Sequence, residues 1–291
     1  MSDLLQPNVL SGLTILITGA SSGIGRATAL ACAKAGAKSL ILFARSGDKL
    51  SEVSNLITTH PNNQTQVLHR SVDLQKSSAV NDAINSVISD NAISQIDILI
   101  NNAGLALGAP SRFPDLDLPT IDTMIDTNLK GMLYTTHAVL NTGGMLHRAR
   151  GTILNITSTT ALEVPPFPGE AIYHTTKAAQ EAFTNSLRTE LQGTNIRVLA
   201  LRPGVVADTT FHKQRVGFDK GQYDSFMDGF EPLLAEDVAE QIVWVLALGA
   251  RKERVSVKAL DVVPTAQRML YVMDKGWNER NDVESMKMDD S

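Results

Sequence analysis

The sequence predicts a single α/β domain of the doubly wound Rossmann type, with a parallel sheet of about seven strands and helices on both faces. Three observations predict it. Short apolar runs alternate along the chain with segments of helical spacing. The first run, Thr14–Thr18, meets a glycine-rich turn that leads at once into an alanine-rich helical pattern. No Gly/Ser linker, internal repeat or low-complexity run divides the 291 residues.

The remaining elements follow in order. Further strands are predicted at 39–44, 67–71, 96–100, 151–156, 196–201 and 260–263. Helical stripes lie between them, and two long helices are predicted over 120–140 and 171–191. We therefore expect residues 1–274 to form one domain and the polar, acidic residues 275–291 to form a loose tail.

Residues 207–232 do not follow this alternation of strands and helices, and their sequence predicts an irregular insertion. The segment contains five aromatic residues, Phe211, Phe218, Tyr223, Phe226 and Phe230. Because a long insertion without regular structure is usually functional, we interpret it as a substrate lid. The alternative is a surface flap packed by its own aromatic side chains.

Composition excludes several classes of protein. The net charge of −5 argues against nucleic-acid binding, which usually needs a basic patch. The one cysteine, Cys32, excludes a disulfide framework, fits a reducing compartment and is expected in the core. No apolar run approaches the ~18 residues of a membrane span, and the N-terminus lacks a leader pattern. We expect a cytoplasmic protein with no membrane, nucleic-acid or metal partner.

The turn after the first strand predicts an anion site. Backbone N–H groups without partners and the positive end of the helix dipole converge where a strand, a tight turn and a helix N-terminus meet. The spacing is T-G-x-x-x-G-x-G, and the alternative is an ordinary strand–helix turn. The residues predicted to hold a pyrophosphate here are Thr18, Gly19, Ser21, Ser22, Gly23, Ile24 and Gly25.

Three residues predict acid–base chemistry. Tyr173 and Lys177 stand four apart on a helical pattern and so share one face. An ammonium group beside a phenol is expected to lower the phenol pKa towards the range where proton transfer is effective. Ser158 follows the fifth strand and is able to donate to a carbonyl oxygen. Taken singly, each has a plain structural reading as a core, surface or turn residue.

The end of the second strand predicts the cofactor. A carboxylate at this place normally binds the ribose hydroxyls of NAD, but here the strand ends in Arg45 and Ser46. A guanidinium matches phosphate geometry, and Ser46 adds a hydroxyl, so the pair predicts NADP. The alternative is that Arg45 is solvated beside Asp48 in a surface loop.

Together these motifs resemble the single-domain short-chain dehydrogenase/reductase family, in family order from Thr18 to Gly204. The resemblance implies hydride transfer between NADP(H) and an alcohol/carbonyl pair, with Ser158, Tyr173 and Lys177 catalytic and Asn128 completing a proton relay. It also implies cofactor contacts from a further set: Asp73, Leu74, Asn101, Ala103, Gly104, Tyr173, Lys177, Pro203, Gly204, Val206 and Thr209. The rivals are a non-catalytic NADP(H)-binding protein and a sugar-nucleotide epimerase or dehydratase.

Within the family, residues 101–108, residues 232–239 and Pro264-Thr265 resemble the NADP-dependent 3-hydroxy acid/serine dehydrogenase branch. This implies a small 3-hydroxy acid as substrate, a bulkier ketone being the alternative. It also implies a dimer or tetramer built on the two long helices.

The chain departs from the family pattern in three places. Residues 164–169 add length before Tyr173. An extra residue in 207–210 leaves open whether Thr209 or Thr210 contacts the cofactor carboxamide. The chain also continues well beyond Thr265.

Overall fold

The computed structural model describes residues 8–61, 63–89, 93–163, 168–207, 209–251, 255–269 and 272–281. Besides the predicted tail, two features of the sequence lie partly outside these ranges. Residues 164–167 belong to the extra length before Tyr173, and residue 208 belongs to the segment 207–232.

Seven parallel strands form the central sheet of the described residues, and the predicted fold class is confirmed. In chain order they are β1 (Thr14–Thr18), β2 (Ser39–Ala44), β3 (Gln66–Ser71), β4 (Ile98–Asn101), β5 (Arg150–Ile156), β6 (Asn195–Pro203) and β7 (Ala259–Val262). Their order across the sheet is β3-β2-β1-β4-β5-β6-β7. The connections therefore reverse direction between β1 and β4, which opens a crevice at their carboxyl ends.

Helices cover both faces of the sheet, and shorter helices lie beyond it. They are α1 (Gly23–Lys34), α2 (Gly47–Thr58), α3 (Ser77–Ser89), α4 (Leu118–Met124), α5 (Gly131–Asn141), α6 (Ala171–Glu190), α7 (Thr210–Arg215), α8 (Lys220–Met227), α9 (Ala235–Arg251) and α10 (Trp277–Asn281). A short hairpin of β8 (Gln267–Met269) and β9 (Val272–Met273) follows the sheet. In these described residues, no helix combines the length and the apolar character that a membrane span needs.

The core lies in two layers because successive strand residues point to opposite faces. Ile15 and Ile17 of β1 pack in one buried cluster with Val238 and Ile242 of α9. Leu16, between them, packs in a second cluster on the other face, with residues of α3, α5 and α6. Cys32 is fully buried in the first cluster, as expected.

The segment predicted as one helix over 120–140 is more complex. α4 and α5 are joined by a π-helical turn, Ile125–Lys130, so the chain stays helical but gains an extra residue in one turn. Periodicity does not reveal such a turn, because the apolar pattern continues on both sides of it.

The expectation of irregular structure over 207–232 is wrong in one respect, since α7 and α8 lie within it. The start of the predicted tail is also ordered: Trp277 of α10 packs against a buried cluster of Val205, Phe230 and Ala266. The rest of the tail, 282–291, lies outside the described residues.

Candidate active site

A cleft of about 480 Å³ lies at the carboxyl ends of the strands. Residues that follow β1 to β6 line it, which is where parallel sheets bind ligands. The structure places these predicted site residues on its walls: Gly19, Ser21, Ser22, Gly23, Ile24, Arg45, Ser46, Asp73, Leu74, Ala103, Gly104, Ser158, Tyr173, Lys177, Pro203, Gly204, Val206 and Thr209. Thr210 also lines the cleft, so the choice between Thr209 and Thr210 stays open.

Four predicted residues, Thr18, Gly25, Asn101 and Asn128, do not line the cleft. Thr18 joins β1 to β4 instead: its Oγ1 accepts from the backbone N–H groups of Asn102 (3.0 Å) and Ala103 (3.1 Å). The buried side chain of Asn101 donates to Thr136 and Asn155, away from the cleft. Asn102, which belongs to the 101–104 motif but was not among the individual contacts predicted, lines the cleft next to the glycine turn.

The glycine turn is packed too closely for side chains. A Cβ atom at Gly25 would lie 2.2 Å from the carbonyl oxygen of Gly19, and Gly19 itself has a φ of 66°. The first residues of α1 present their backbone N–H groups to the cleft, and Ser22 makes no side-chain cap on them. A Cβ at Gly23 would come within 3.1 Å of Thr209 across the cleft. The turn thus leaves room and donors for an anion.

Cations lie where β2 and α2 meet. Arg45 is exposed at the cleft, its carbonyl oxygen accepts from Ser71 Oγ at 2.7 Å, and Lys49 lines the same end. Within the part of the chain that the structure describes, no ion pair joins Arg45 to Asp48, as the alternative reading required. Asp73 accepts from the N–H of Gln75 (3.2 Å) and pairs with Lys76 (3.6 Å). This end of the cleft therefore carries exposed positive charge. The sequence analysis predicted Arg45 there but not Lys49.

The structure brings Ser158, Tyr173 and Lys177 to one wall of the cleft. Ser158 follows β5 and begins a short 3₁₀ turn, where its Oγ accepts from the N–H of Thr160 at 3.1 Å. Tyr173 and Lys177 lie on the buried face of α6, and the Lys177 Nζ atom is 5.8 Å from the centre of the Tyr173 ring. All three side chains are buried, so few waters compete with a ligand there.

The expectation that Lys177 lowers the Tyr173 pKa is wrong for this structure. Burial raises the pKa of Tyr173 to about 12, and the opposing effects come from the charge of Arg215 and a hydrogen bond with Ser158. Burial also lowers the pKa of Lys177 to about 7. Desolvation is the main cause in both cases, because each residue disfavours its ionised form when it is removed from water.

Gln180, which the sequence analysis missed, links Lys177 to Asn128. Lys177 Nζ donates to the carbonyl oxygen of Ile156 and to Gln180 Oε1, both at 3.0 Å. Gln180 Nε2 donates in turn to the main-chain oxygen of Asn128 at 2.5 Å. Gln180 lies three residues after Lys177 on the same helix face, and that spacing was the available signal.

Asn128 lies in the π-helical turn, and its side chain hydrogen-bonds to other parts of the protein. Its Oδ1 accepts from the N–H of Leu105 and its Nδ2 donates to the Leu105 carbonyl, both at 2.8 Å. Nδ2 also donates to Thr176 Oγ1 at 3.1 Å. Within the described residues, the main-chain oxygen of Asn128 is connected to Lys177 only through the Gln180 side chain.

The part of the cleft around Tyr173, here called the Tyr173 end, is lined on its other side by residues of α7 and α8. The Phe211 ring lies 5.5 Å from that of Tyr173, and Phe226 lies 5.4 Å from His212. Arg215 lies over the Tyr173 ring at 5.0 Å and donates to Glu170 Oε2 at 2.8 Å. Sequence reasoning missed Glu170, His212 and Arg215, since nothing local distinguishes them. Among the described residues, no cluster of three or more His, Cys, Asp or Glu side chains is arranged to hold a metal.

The chain belongs to the short chain dehydrogenase family, which it matches over residues 13–218. It is an oxidoreductase of this family that acts on alcohol/carbonyl pairs. It is 41% identical over 254 residues to "Sulfoacetaldehyde reductase 2" of Chromohalobacter salexigens, covering 87% of this chain and 94% of that one. It is 38% identical over 258 residues to the "NADP-dependent 3-hydroxy acid dehydrogenase" of Schizosaccharomyces pombe, covering 89% and 95%.

A solved structure is also similar. The closed form of serine dehydrogenase complexed with NADP⁺ superposes with a TM-score of 0.75 at 32% identity, covering 88% of this chain and 96% of that one. The family and branch predicted from the motifs are confirmed by these relatives.

Proposed function

We propose that this protein catalyses reversible hydride transfer between NADP(H) and a small alcohol/carbonyl pair. One observation carries the proposal: Ser158, Tyr173 and Lys177 share a cleft whose opposite end holds the glycine turn and Arg45. The relatives named as NADP-dependent, and the serine dehydrogenase complexed with NADP⁺, support the choice of cofactor.

The residues present suit a dinucleotide phosphate. The glycine turn leaves space that a Cβ would fill and supplies backbone donors for a pyrophosphate. We assign the pyrophosphate to residues 19–25, the 2′-phosphate to Arg45 and Ser46, and the adenine to Asp73 and Leu74. The nicotinamide is assigned to Ala103, Gly104, Pro203, Gly204, Val206 and either Thr209 or Thr210. When bound, NADPH supplies the hydride.

The chain's own residues supply the rest of the chemistry. Tyr173 donates a proton to the carbonyl oxygen during reduction, and Ser158 donates a hydrogen bond to the same oxygen as negative charge develops on it. Lys177 has three N–H donors, two of which are used by Ile156 and Gln180. We assign the third to the ribose hydroxyls of the cofactor. Proton resupply then passes through Lys177 and water, with the main-chain oxygen of Asn128 accepting a hydrogen bond from that water.

The segment 207–232 serves as a lid in this proposal. α7 and α8 supply Phe211, His212 and Phe226 to the cleft, while Phe230 anchors the segment in a buried cluster. The alternative of a self-packed flap has less support, because Phe211 packs on Tyr173 and not only on other lid residues. Residues 1–274 constitute the catalytic domain.

We propose a homo-oligomer, a dimer or a tetramer, formed through α5 and α6. Leu133 and Phe183 are half-buried and Ala182 is exposed, although Met132 lies in the core of its own chain. Closed symmetric assemblies are the commonest kind. A monomer mass from light scattering at micromolar concentration would contradict this. The single buried cysteine suits a reducing compartment, and we propose the cytoplasm.

The test is NADPH oxidation, followed by absorbance, against a panel of 3-oxo acids, serine-derived aldehydes, diketones and bulky ketones. We expect at least one class of compound to be turned over. NADPH should then be oxidised several times faster with that compound than without any substrate. NADPH binding without turnover of any compound would favour a non-catalytic NADP(H)-binding protein instead.

A further inference from the structure

The charged groups at the Tyr173 end of the cleft are paired with each other. Glu170 precedes α6 and Arg215 ends α7, and an ion pair of 2.8 Å joins them. Their side chains are only 3% and 9% exposed. Each charge therefore depends on the other for stabilisation, since water reaches neither freely.

The other cations of the cleft are committed or distant. Arg45 and Lys49 lie beside the second strand, at the far end, and Lys177 donates to Ile156 and Gln180. His212 is buried next to Arg215, and burial lowers its pKa to about 3, so its ring is neutral in any ordinary assay. Apart from Lys177, whose remaining donor is assigned to the cofactor ribose, the described residues place no positive charge at the Tyr173 end outside the Glu170–Arg215 pair.

Aromatic side chains form part of the remaining wall there. Tyr173 packs against Phe211 at 5.5 Å, and His212 packs against Phe226 at 5.4 Å. An anionic substrate that paired with Arg215 would leave the Glu170 carboxylate buried without its partner, which is strongly unfavourable. A neutral substrate requires no such exchange.

We propose that this end of the cleft selects uncharged carbonyl compounds, and that the Glu170–Arg215 pair excludes carboxylates and sulfonates. The proposal deepens the function proposed above and rests on it. The reaction is then a neutral ketone or aldehyde plus NADPH and one proton, giving an alcohol and NADP⁺. By their printed names, the similar proteins above act on a 3-hydroxy acid or on sulfoacetaldehyde, and both of these compounds are anions. The preference proposed for this chain is the opposite one.

Matched substrates test the proposal directly. NADPH oxidation is measured at pH 8 with acetoacetate and ethyl acetoacetate, with two further pairs of 3-oxo acid and ester, and with neutral ketones. We expect kcat/KM for each ester, or for the neutral ketones, to exceed that for the acids by at least about tenfold, or ~1.4 kcal/mol. Equal or better use of the acids would overturn the inference. Turnover of no carbonyl compound would instead contradict the proposed function.

The variant Glu170→Gln tests the pair itself. Removing the carboxylate releases the charge of Arg215, so the acid-to-ester ratio of kcat/KM should rise by about tenfold or more. The matched control is Glu190→Gln, an exposed carboxylate at the end of the same helix, which should leave the ratio unchanged. If Glu170→Gln does not fold, the double variant Glu170→Gln/Arg215→Met removes both charges and should keep the ester preference. An unchanged ratio in folded Glu170→Gln, or acid preference in the double variant, would overturn the proposal.

Discussion

The Nζ atom of Lys177 donates a hydrogen bond of 3.0 Å to Oε1 of Gln180. Because the same amide donates to the main-chain oxygen of Asn128, it spans the distance between the lysine and the π-helical turn. Gln180 is 2% exposed, so water does not readily replace it. It acts as a positioning residue for Lys177.

Gln180→Leu should lower kcat by about tenfold, since the ammonium loses one of its charge-assisted hydrogen bonds. Loss of that acceptor disfavours the charged form, so the pKa of Lys177 should fall below its value of about 7. The fall of kcat/KM for reduction on the alkaline side should then begin at lower pH. Gln192→Leu, an exposed change beyond the end of α6, is the control. A reduced thermal stability with an unchanged pH profile would assign Gln180 a structural role only.

Arg45 should determine cofactor choice. A hydrogen bond to a charged group contributes roughly 1.5–3 kcal/mol, so kcat/KM should favour NADP over NAD by at least about tenfold. Arg45→Ala should remove most of that preference by raising the KM for NADP, with little effect on NAD. Lys49 lines the same end and should account for the remainder.

The control for Arg45→Ala is Lys38→Ala, which removes an exposed positive charge before β2 and away from the cleft. It should leave both cofactors unaffected. Equal use of NADP and NAD by the unmodified protein would contradict the role given to Arg45.

The helices α7 and α8 of the segment 207–232 should become better protected from hydrogen exchange when cofactor and substrate bind. Phe226→Ala removes an aromatic contact with His212, worth about 0.5–1.5 kcal/mol, and should raise the KM for substrate about two- to tenfold. Hydrogen exchange of α7 and α8 should slow with both ligands, while α3 on the sheet serves as an internal control. Unchanged exchange in α7 and α8 would show that the segment is not a lid.

Local patterns in the sequence predicted much of the fold. The alternation of Ile15, Leu16 and Ile17 between two cores follows from the strand period, and the glycine turn follows from its own residues. The pairing of Tyr173 with Lys177 on one face needed only the helical period. These are features that neighbouring residues determine by themselves.

Other features depend on contacts between distant parts of the chain. The pair of Glu170 and Arg215 joins residues 45 apart, and Gln180 meets Asn128 across 52 positions. Burial, which raises the pKa of Tyr173, is likewise a property of the packed structure. Sequence periodicity carries no information on such pairings.

Tyr173 donates the proton to the carbonyl oxygen in the proposed reaction, and Tyr173→Phe removes only the hydroxyl group that does so. The substitution removes one hydroxyl from a buried ring whose packing on Phe211 is otherwise kept. NADPH oxidation with the best carbonyl substrate is measured beside NADPH binding by fluorescence and the melting temperature. We predict a loss of about 10²–10⁴-fold in kcat, with NADPH affinity and stability nearly unchanged. Retention of more than about a tenth of kcat in the folded variant would show that another residue is the acid.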